Sequence, residues 1–472
     1  MFKKVLVANR GEIATRVIRA CKELDIETVA IYSEADATSL YVKKADEAYQ
    51  VGPGPINGYL NLHAIVDLAD KIGADAIHPG YGFLAENPRF PKVCERRGIT
   101  FIGPSSASIS NMGDKVRART MMIKAGVPLL PGSEGAVKDL DEASRVAADI
   151  GYPVMVKASA GGGGRGLRIA NTEDELQGAF EAARSETKGA FGSTDVFIEK
   201  YLVGPHHIEV QILADNHGNT IYLGERDCSI QRRHQKLIEI APSLLLDDTT
   251  RVKMGEAAVK AARAADYTNA GTVEFLVDEK LNFYFLEMNT RIQVEHTITE
   301  EVTGIDIVKK QIEIAAGKEL DISQEDVLVR GYSMECRICT EDPKNNFLPS
   351  TGTVTAYYSP GGIGVRIDGA LYKDYEIPGY YDSMVVKLIL TGGDWNEVVA
   401  RMHRALEEFV IRGVKTNIPY LRKIMHDDEF RAGKFDTGYI GRKPELLVYD
   451  EFEDPTDKVA AISAAIAAFH GF

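Results

Sequence analysis

The sequence lacks the features that define several large classes of protein. Its 472 residues contain only five cysteines, too few for a disulfide framework, which favours a reducing compartment such as the cytoplasm. The net charge is −14, which disfavours nucleic acid as a partner because phosphates require a basic surface. No apolar run approaches the ~20 residues that span a bilayer, so we expect no association with a membrane.

Several signatures of nucleotide and metal sites are also missing. Residues 9–13 lie where a dinucleotide-binding loop would follow a first strand, but the sequence has no Gly-x-Gly-x-x-Gly. It has no Walker loop and no Cys/His spacing typical of zinc. Cys336 and Cys339 fall in a strand pattern that points them to opposite faces, which argues against a redox or metal pair. Any nucleotide site must therefore be built in another way.

The length of the chain predicts about two to four domains. Residues 1–130 alternate short apolar strands with helical patterns, which predicts a parallel sheet covered by helices on both faces. Residues 131–204 predict a small α+β lobe, and residues 205–445 a larger lobe of mixed strands and helices. Residues 446–472 begin with an acidic linker and continue as an Ala-rich helix.

Polar side chains recur at every second position of residues 283–296. Alternate residues of a strand share a face. The pattern predicts one face with Phe283, Phe285, Glu287, Asn289, Arg291, Gln293 and Glu295, and turns Tyr284, Leu286, Met288, Ile292 and Val294 toward a core. A straight strand would separate Glu287 from Glu295 by roughly 26 Å, so we expect a bend after Asn289. A half-solvated structural strand also alternates, but acids, amides and an arginine in series favour the binding of metal ions and anions.

Three further features could carry chemistry. The glycine-rich residues 161–166 follow Lys157 and predict a lid over phosphates, with a flexible linker as the alternative. The basic residues 231–236 could bind an anion or form a solvated turn. Glu274 lies among apolar residues, where an acid is costly unless it is paired or bound to metal. With Glu287 and Asn289 it would make an oxygen-rich cage suited to Mg²⁺.

Six sequence blocks carry a resemblance to a known family. They are Asn9-Arg-Gly-Glu-Ile, His78-Pro-Gly-Tyr-Gly-Phe-Leu, Gly113-Asp-Lys115, Lys157-Ala-Ser-Ala-Gly-Gly-Gly-Gly-Arg-Gly, Glu225-Arg-Asp-Cys-Ser-Ile-Gln-Arg-Arg-His-Gln-Lys236 and Glu287-Met-Asn-Thr-Arg-Ile-Gln-Val-Glu-His296. Over residues 1–445 the chain resembles the biotin carboxylase family, and the last two blocks separate that family from other ATP-grasp enzymes such as peptide ligases. The resemblance implies an α/β and α+β chain with the ATP-grasp fold, in which an N-terminal parallel-sheet domain, a mobile lid and a mixed C-terminal domain clamp ATP.

The resemblance also implies an activity and the residues that perform it. Bicarbonate and ATP would form carboxyphosphate and ADP, and the activated carbon would reach N1 of biotin on a carrier protein. The implied ATP site comprises Lys115, Lys157, Gly163, Gly164, Glu199, Lys200, Leu202, His207, Gln231, His234, Leu276, Glu274 and Glu287. Glu274, Glu287 and Asn289 would bind Mg²⁺ or Mn²⁺. Lys236, Arg291, Gln293 and Val294 would hold bicarbonate, Glu295 would be the base, Arg337 would stabilise the enolate of biotin, and Tyr81 would lie near the biotin ring.

The expected protein is one subunit of a larger enzyme. The sequence has no Ala-Met-Lys-Met biotinylation site and no room for a carboxyltransferase domain, so a carrier and carboxyltransferase subunit would be a separate partner. The core and tail favour a pyruvate or other 2-oxo-acid carboxylase over an acetyl-CoA carboxylase, and the family implies a homodimer. Another ATP-grasp carboxylate ligase and a non-catalytic ATP-binding module are the alternatives, and the second would have lost a base or a metal ligand.

The C-terminal helix has an apolar face formed by Val459, Ile462, Ile466 and Phe469. An isolated helix of this length is marginal in water, so we expect it to pack against another surface. That surface is either the partner subunit or the chain's own domain.

Overall fold

A computed structural model describes residues 1–133, 135–158, 167–191, 195–449 and 455–470. Three larger sheets organise these residues: a parallel sheet near the N-terminus, a small antiparallel sheet, and a large antiparallel sheet that continues to the C-terminal part of the chain. Three two-stranded sheets accompany them. The elements are given below in chain order.

The first unit is a doubly covered parallel sheet. Its strands are β1 (Lys4–Val7), β2 (Glu27–Tyr32), β3 (Glu47–Gln50), β4 (Ala76–His78) and β5 (Thr100–Phe101), in the order β3-β2-β1-β4-β5. Its helices are α1 (Gly11–Glu23), α2 (Leu40–Lys44), α3 (Asn57–Leu60), α4 (Leu62–Lys71), α5 (Arg89–Arg96) and α6 (Ser106–Gly113). Val5 and Val7 pack into one apolar cluster and Leu6 into another, so both faces of β1 are buried, as the continuous apolar run predicts.

The second unit contains a three-stranded antiparallel sheet in the order β7-β6-β8. Helix α7 (Lys115–Ala125) precedes this sheet and packs through Ala118 and Met122 into the apolar core of the third unit. The elements of the second unit are α8 (Leu140–Ile150), β6 (Val154–Ala158), β7 (Leu167–Ala170), α9 (Glu173–Phe191) and β8 (Val196–Lys200). The side chain of Asp114 accepts hydrogen bonds from the backbone N–H groups of Val116 and Arg117, which caps α7. Gly163 and Gly164 lie outside the described residues.

The third unit is built on an eight-stranded antiparallel sheet. Its elements are β9 (His206–Ala214), β10 (Thr220–Arg232), β11 (Gln235–Ala241), α10 (Asp248–Ala264), β12 (Asn269–Val277), β13 (Phe283–Asn289), α11 (His296–Thr303), α12 (Ile307–Ala315), β14 (Tyr332–Cys339), β15 (Glu341–Asp342), β16 (Leu348–Pro349), β17 (Gly352–Thr353), β18 (Ala356–Tyr358), β19 (Val365–Gly369), β20 (Glu376–Ile377), β21 (Met384–Gly392), α13 (Trp395–Glu408), β22 (Val410–Arg412), α14 (Ile418–His426), α15 (Asp428–Arg431), α16 (Tyr439–Arg442) and α17 (Pro455–His470). The strand order is β13-β12-β9-β10-β11-β14-β21-β19.

Strand β13 ends at Asn289, and residues 290–295 turn before α11, so the predicted bend is confirmed. The predicted faces of Phe283, Tyr284 and Phe285 are wrong. Glu274 pairs with Glu287, but its neighbour Phe275 pairs with Phe285, so Leu286 is an extra residue in β13. Such a bulge reverses the alternation. Phe285 therefore packs with Phe275 in the apolar core, on the opposite face from Glu287.

The apolar face of α17 is exposed. Val459, Ile462, Ile466 and Phe469 expose between 55% and 86% of their surface. Against the described part of the chain these side chains are therefore unpacked, whereas packing on the chain's own domain was one of the two expected arrangements.

Within the described ranges, no helix is both long and apolar enough to cross a membrane. All five cysteines are free, including Cys336 and Cys339.

Candidate active site

Side chains from six strands and one loop converge on one face of the large sheet. Glu274 on β12 is the direct partner of Glu209 on β9 and of Glu287 on β13, so three acids lie side by side. Like charges directly opposite one another are destabilising unless cations lie among them. The three acids therefore need cations among them, either basic side chains of the protein or ions bound from solution.

Lys236, at the start of β11, is the protein's own cation in this cluster. Its Nζ donates to Oε2 of Glu209 at 2.6 Å, to Oε1 of Glu295 at 2.6 Å and to Oε1 of Glu274 at 3.1 Å. Burial alone would lower the pKa of Lys236, but the surrounding carboxylates raise it well above its usual value. Lys236 is therefore an ammonium ion at neutral pH.

Glu295 lies at the end of the loop that precedes α11, and only 2% of its surface is exposed. One carboxylate oxygen accepts from Lys236, and Oε2 accepts from Nη2 of Arg337 at 3.0 Å. Burial alone would raise the pKa of Glu295, but the Lys236, Arg337 and Arg226 cations lower it strongly. The predicted base is thus an ionised carboxylate held between two cations.

Glu274 and Glu287 fit a divalent cation by the chemistry of their donors. Oε1 of Glu274 accepts from Nδ2 of Asn289 at 2.9 Å and from Nε2 of Gln293 at 2.8 Å, and His207 Nε2 lies 2.9 Å from Oε2. Burial and the charge of Glu274 raise the pKa of Glu287. A hard cation with oxygen ligands would relieve that repulsion. The described residues offer one further three-ligand group around Glu274, made of His207, Glu209 and Glu274.

Arg291 and Gln293 are held in the loop by their neighbours. Arg291 Nη2 donates to Oδ1 of Asn289 at 3.0 Å, and its Nε lies 3.0 Å from Oε2 of Glu86. Gln293 is buried and its Oε1 accepts from Nη2 of Arg226 at 2.8 Å. Arg291 and Gln293 are two of the four predicted bicarbonate ligands. Each is therefore held in place by neighbouring side chains.

The residues expected to contact ATP are distributed over both antiparallel sheets. Lys157 donates to Glu199 across β6 and β8, and Lys200 Nζ donates to the carbonyls of Gly151 and Tyr152 at 3.0 and 2.9 Å. Five predicted ATP residues lie on the large sheet: Glu274 is the strand partner of Glu287, Leu276 is the strand partner of His207, and Gln231 is the partner of Lys236. The others stand in turns or at a helix start: Leu202 before β9, His234 between β10 and β11 with a φ of 65°, and Lys115 at the first residue of α7.

Three acidic or basic residues were not predicted from the sequence. Glu209 is fully buried and accepts from Lys236, and Arg226 Nε donates to its Oε1 at 2.5 Å. Glu239 on β11 accepts from Nε of Arg337 at 2.5 Å. A signal was available for Glu209, because His207, Glu209 and Gln211 alternate within an apolar strand pattern. Glu239 had no comparable signal.

Substitution of Glu239 by glutamine is expected to change how stability depends on pH. Burial raises the pKa of Glu239 to about 7, although Arg337 opposes this shift. The folded-state pKa is above the unfolded one, so the contribution of Glu239 to stability is present at acid pH and is lost as pH rises through about 7. The melting temperature of Glu239→Gln relative to the parent should therefore rise between about pH 5 and about pH 8.

Thermal unfolding of both proteins over this pH range measures the effect. Glu313→Gln is the matched control, since Glu313 pairs with Lys310 and Lys318 on the surface and should give a constant difference. A constant difference for Glu239→Gln as well would show that Glu239 is ionised throughout the range.

Comparisons with known proteins agree with this geometry. Three family models match: the biotin carboxylase N-terminal domain over residues 1–109, the ATP-binding domain of the carbamoyl-phosphate synthase L chain over residues 114–323, and the biotin carboxylase C-terminal domain over residues 335–442. The fold and the acid-rich site are those of an ATP-grasp enzyme, with solved structures of this class superposing at TM-scores of 0.91 and 0.90.

The relatives define the family within that class. The chain is 59% identical to the 2-oxoglutarate carboxylase small subunit of Hydrogenobacter thermophilus over 100% of both chains, and 53% identical to a pyruvate carboxylase subunit of Methanothermobacter thermautotrophicus over 99% of both. The chain belongs to the biotin carboxylase family. The solved structure with the TM-score of 0.91 is the biotin carboxylase domain dimer of the Hydrogenobacter thermophilus enzyme in complex with MgADP, ADP and bicarbonate; it is 59% identical and covers 96% of this chain and 100% of that one.

Proposed function

We propose that this chain uses ATP and bicarbonate to carboxylate biotin that is attached to a separate polypeptide. The observation that carries the proposal is the position of Glu295, a buried carboxylate whose two oxygens face Lys236 and Arg337. A carboxylate placed between two cations can receive the proton of bicarbonate while the cations hold the oxygens of the reacting groups.

The proposed roles follow from the contacts. Lys236, Arg291, Gln293 and Val294 hold bicarbonate, and Glu295 takes its proton, so that a bicarbonate oxygen attacks the γ-phosphorus of ATP as the bond to ADP breaks. The product, carboxyphosphate, transfers its carboxyl group to N1 of biotin as the bond between its carboxyl carbon and the phosphate oxygen breaks, and the released phosphate takes the proton of N1. Arg337 stabilises the oxyanion of the biotin enolate, and Tyr81 contacts the biotin ring.

Nucleotide and metal have proposed ligands of their own. The ATP site is formed by Lys115, Lys157, Gly163, Gly164, Glu199, Lys200, Leu202, His207, Gln231, His234, Leu276, Glu274 and Glu287. Mg²⁺ or Mn²⁺ would be held by Glu274, Glu287 and Asn289, and would supply positive charge beside the phosphates. The corresponding domains are residues 1–130, 131–204 and 205–445, followed by the tail of residues 446–472.

ADP release by the purified chain tests the proposal. We expect release that requires Mg²⁺ and bicarbonate and that free biotin stimulates. ATP binding without biotin stimulation, together with ADP release driven by an amino acid or another carboxylate, would favour a different ATP-grasp ligase. Binding of ATP with no turnover under any condition would favour a non-catalytic module, although Glu274, Glu287, Asn289, Glu295 and Arg337 are all present.

The final acceptor is proposed to be a 2-oxo acid, pyruvate or 2-oxoglutarate. Support comes from two relatives that match 100% and 99% of this chain, one named as the small subunit of 2-oxoglutarate carboxylase and the other as a subunit of pyruvate carboxylase. Biotin carboxylase 1 of Bacillus subtilis, by contrast, matches 93% of this chain at 55% identity. We propose a homodimer of this chain together with a carrier and carboxyltransferase subunit, in a reducing, cytoplasmic compartment consistent with five free cysteines.

The tail is proposed to dock that second subunit. The apolar face of α17 is exposed, and residues 459–470 contain no acidic or lysine or arginine side chain. Such a surface is stabilised by burial against a complementary apolar surface. Removal of residues 449–472 should therefore abolish co-purification with the carrier subunit, while biotin-stimulated ADP release stays unchanged.

Size-exclusion chromatography of the co-expressed subunits measures the docking. A matched control is the full chain with Ser463→Ala, which leaves the apolar face intact. Unchanged association after removal of the tail would exclude it as the docking element.

A further inference from the structure

A buried lysine outside the predicted site links two of its loops. Lys387 on β21 is completely buried. Its Nζ donates to the carbonyl of Val294 at 2.9 Å and lies 3.1 Å from Oε2 of Glu12 on α1. The other carboxylate oxygen of Glu12 accepts from the hydroxyl of Tyr81. One ammonium group therefore connects four segments that are far apart in the sequence.

The cation at Lys387 is maintained by its surroundings. Burial alone would lower the pKa of Lys387, but Glu12, Glu335 and Asp368 raise it, so the side chain is charged. Asp368 and Arg337 are its direct partners on the neighbouring strands, and all three lie on the same face of the sheet. Removing one partner of a buried charge costs stability. The several partners of Lys387 therefore hold its ammonium group in a defined position.

The loop that carries Tyr81 is also anchored through its backbone. Asn9 Nδ2 donates to the carbonyls of Pro79 and Tyr81 at 2.7 Å each. Gly80 and Gly82 have φ values of 59° and 70°, a left-handed conformation that favours glycine. This tight turn fixes the backbone of the loop, and the contact with Glu12 fixes the direction of the Tyr81 ring.

We propose that Lys387 and Glu12 are positioning residues that hold the bicarbonate-binding loop, residues 290–295, in register with the biotin-facing loop, residues 79–84. The inference rests on the proposed function for the roles of Val294 and Tyr81. Lys387 sets the carbonyl of Val294 directly, and through Glu12 it sets the hydroxyl of Tyr81. The carboxylation step needs both substrates at a fixed separation, because small misplacements of reacting groups reduce rates strongly.

Kinetics of two variants test the inference. Lys387→Met should raise the KM for bicarbonate and the KM for biotin, each about tenfold or more, because the charge-assisted hydrogen bond to Val294 and the ion pair with Glu12 are both lost. Its KM for ATP should stay unchanged. Glu12→Gln should raise the KM for biotin more than the KM for bicarbonate, because Lys387 keeps its bond to Val294. Lys4→Met is the control. Lys4 lies on β1 and forms an ion pair at 2.7 Å with Glu47 on β3.

A double variant separates positioning from general destabilisation. If Glu12 acts through Tyr81, the effects of Glu12→Gln and Tyr81→Phe on the KM for biotin should be less than multiplicative when combined. Equal increases in all three KM values, which general destabilisation would give, would overturn the inference. If Lys387→Met does not fold, Glu12→Gln and the double variant decide it. An inactive parent chain would contradict the proposed function, whereas an active parent with unaffected variants contradicts the inference.

Discussion

Replacement of Glu295 by glutamine is expected to lower biotin-dependent ADP release at least ~100-fold while ATP still binds. Glutamine keeps the size of the side chain but cannot receive a proton. Its amide N–H₂ would also face the Nζ of Lys236 or the guanidinium of Arg337, in place of an anionic oxygen. The substitution therefore removes the base and repels one of the cations that orient the reactants.

Two measurements made on the same preparation check this result. Initial rates of ADP release give turnover, and calorimetric titration with ATP gives binding. Glu313→Gln, a surface acid paired with Lys310 and Lys318, serves as the control and should behave as the parent. Near-normal turnover of Glu295→Gln would exclude Glu295 as the base.

The contacts of Glu295 also explain why biotin should stimulate ADP release. Lys236 and Arg337 lower the pKa of Glu295, and a carboxylate held in this way is a weak base. Under the proposed roles, bicarbonate draws Lys236 toward its own oxygens, and biotin draws Arg337. Each substrate thus removes one cation from Glu295 and strengthens it as a base. Without biotin Arg337 would stay on Glu295, so turnover should be slow.

Part of the site follows from local sequence alone. Alternation and the length of an extended chain were enough to predict that β13 ends at Asn289 and that the following residues bend back. The apolar neighbours of Glu274 indicated a buried acid in need of partners, and the structure gives it Lys236, Asn289 and Gln293. Both predictions depend only on residues that are adjacent in the chain, so the periodicity of the sequence is sufficient to make them.

The rest depends on pairing between distant segments. Leu286 adds a residue to β13 opposite β12, and this bulge moves Phe285 into the core; the partner strand, not the sequence of β13, determines the register. Glu239 and Lys387 gain their importance from β14, which places Arg337 beside both of their strands. The periodicity of neither segment predicts that Arg337 will be its neighbour.

Replacement of Arg337 by alanine is the second large effect, again a loss of at least ~100-fold in biotin-dependent turnover with ATP binding retained. The guanidinium of Arg337 lies between Glu239 and Glu295, donating to the first through Nε and to the second through Nη2. In the proposed reaction its fork is available to the planar oxyanion of biotin. Alanine removes that stabilisation and leaves two buried carboxylates without their shared cation.

Arg337→Ala should also destabilise the fold, because two buried carboxylates lose their cation. This destabilisation must be distinguished from the loss of turnover. Arg337→Lys keeps the charge between the two acids but not the planar fork, so it should restore the melting temperature more fully than turnover. Arg251→Ala is the control for loss of a partly buried arginine. Arg251 lies on α10 and pairs with Glu225 on β10 at 2.8 Å. If Arg337→Lys turns over as fast as the parent, the charge alone suffices and the bidentate role is wrong. If Arg337→Ala keeps near-normal turnover, Arg337 does not stabilise the enolate, and the oxyanion of biotin must be held by another group.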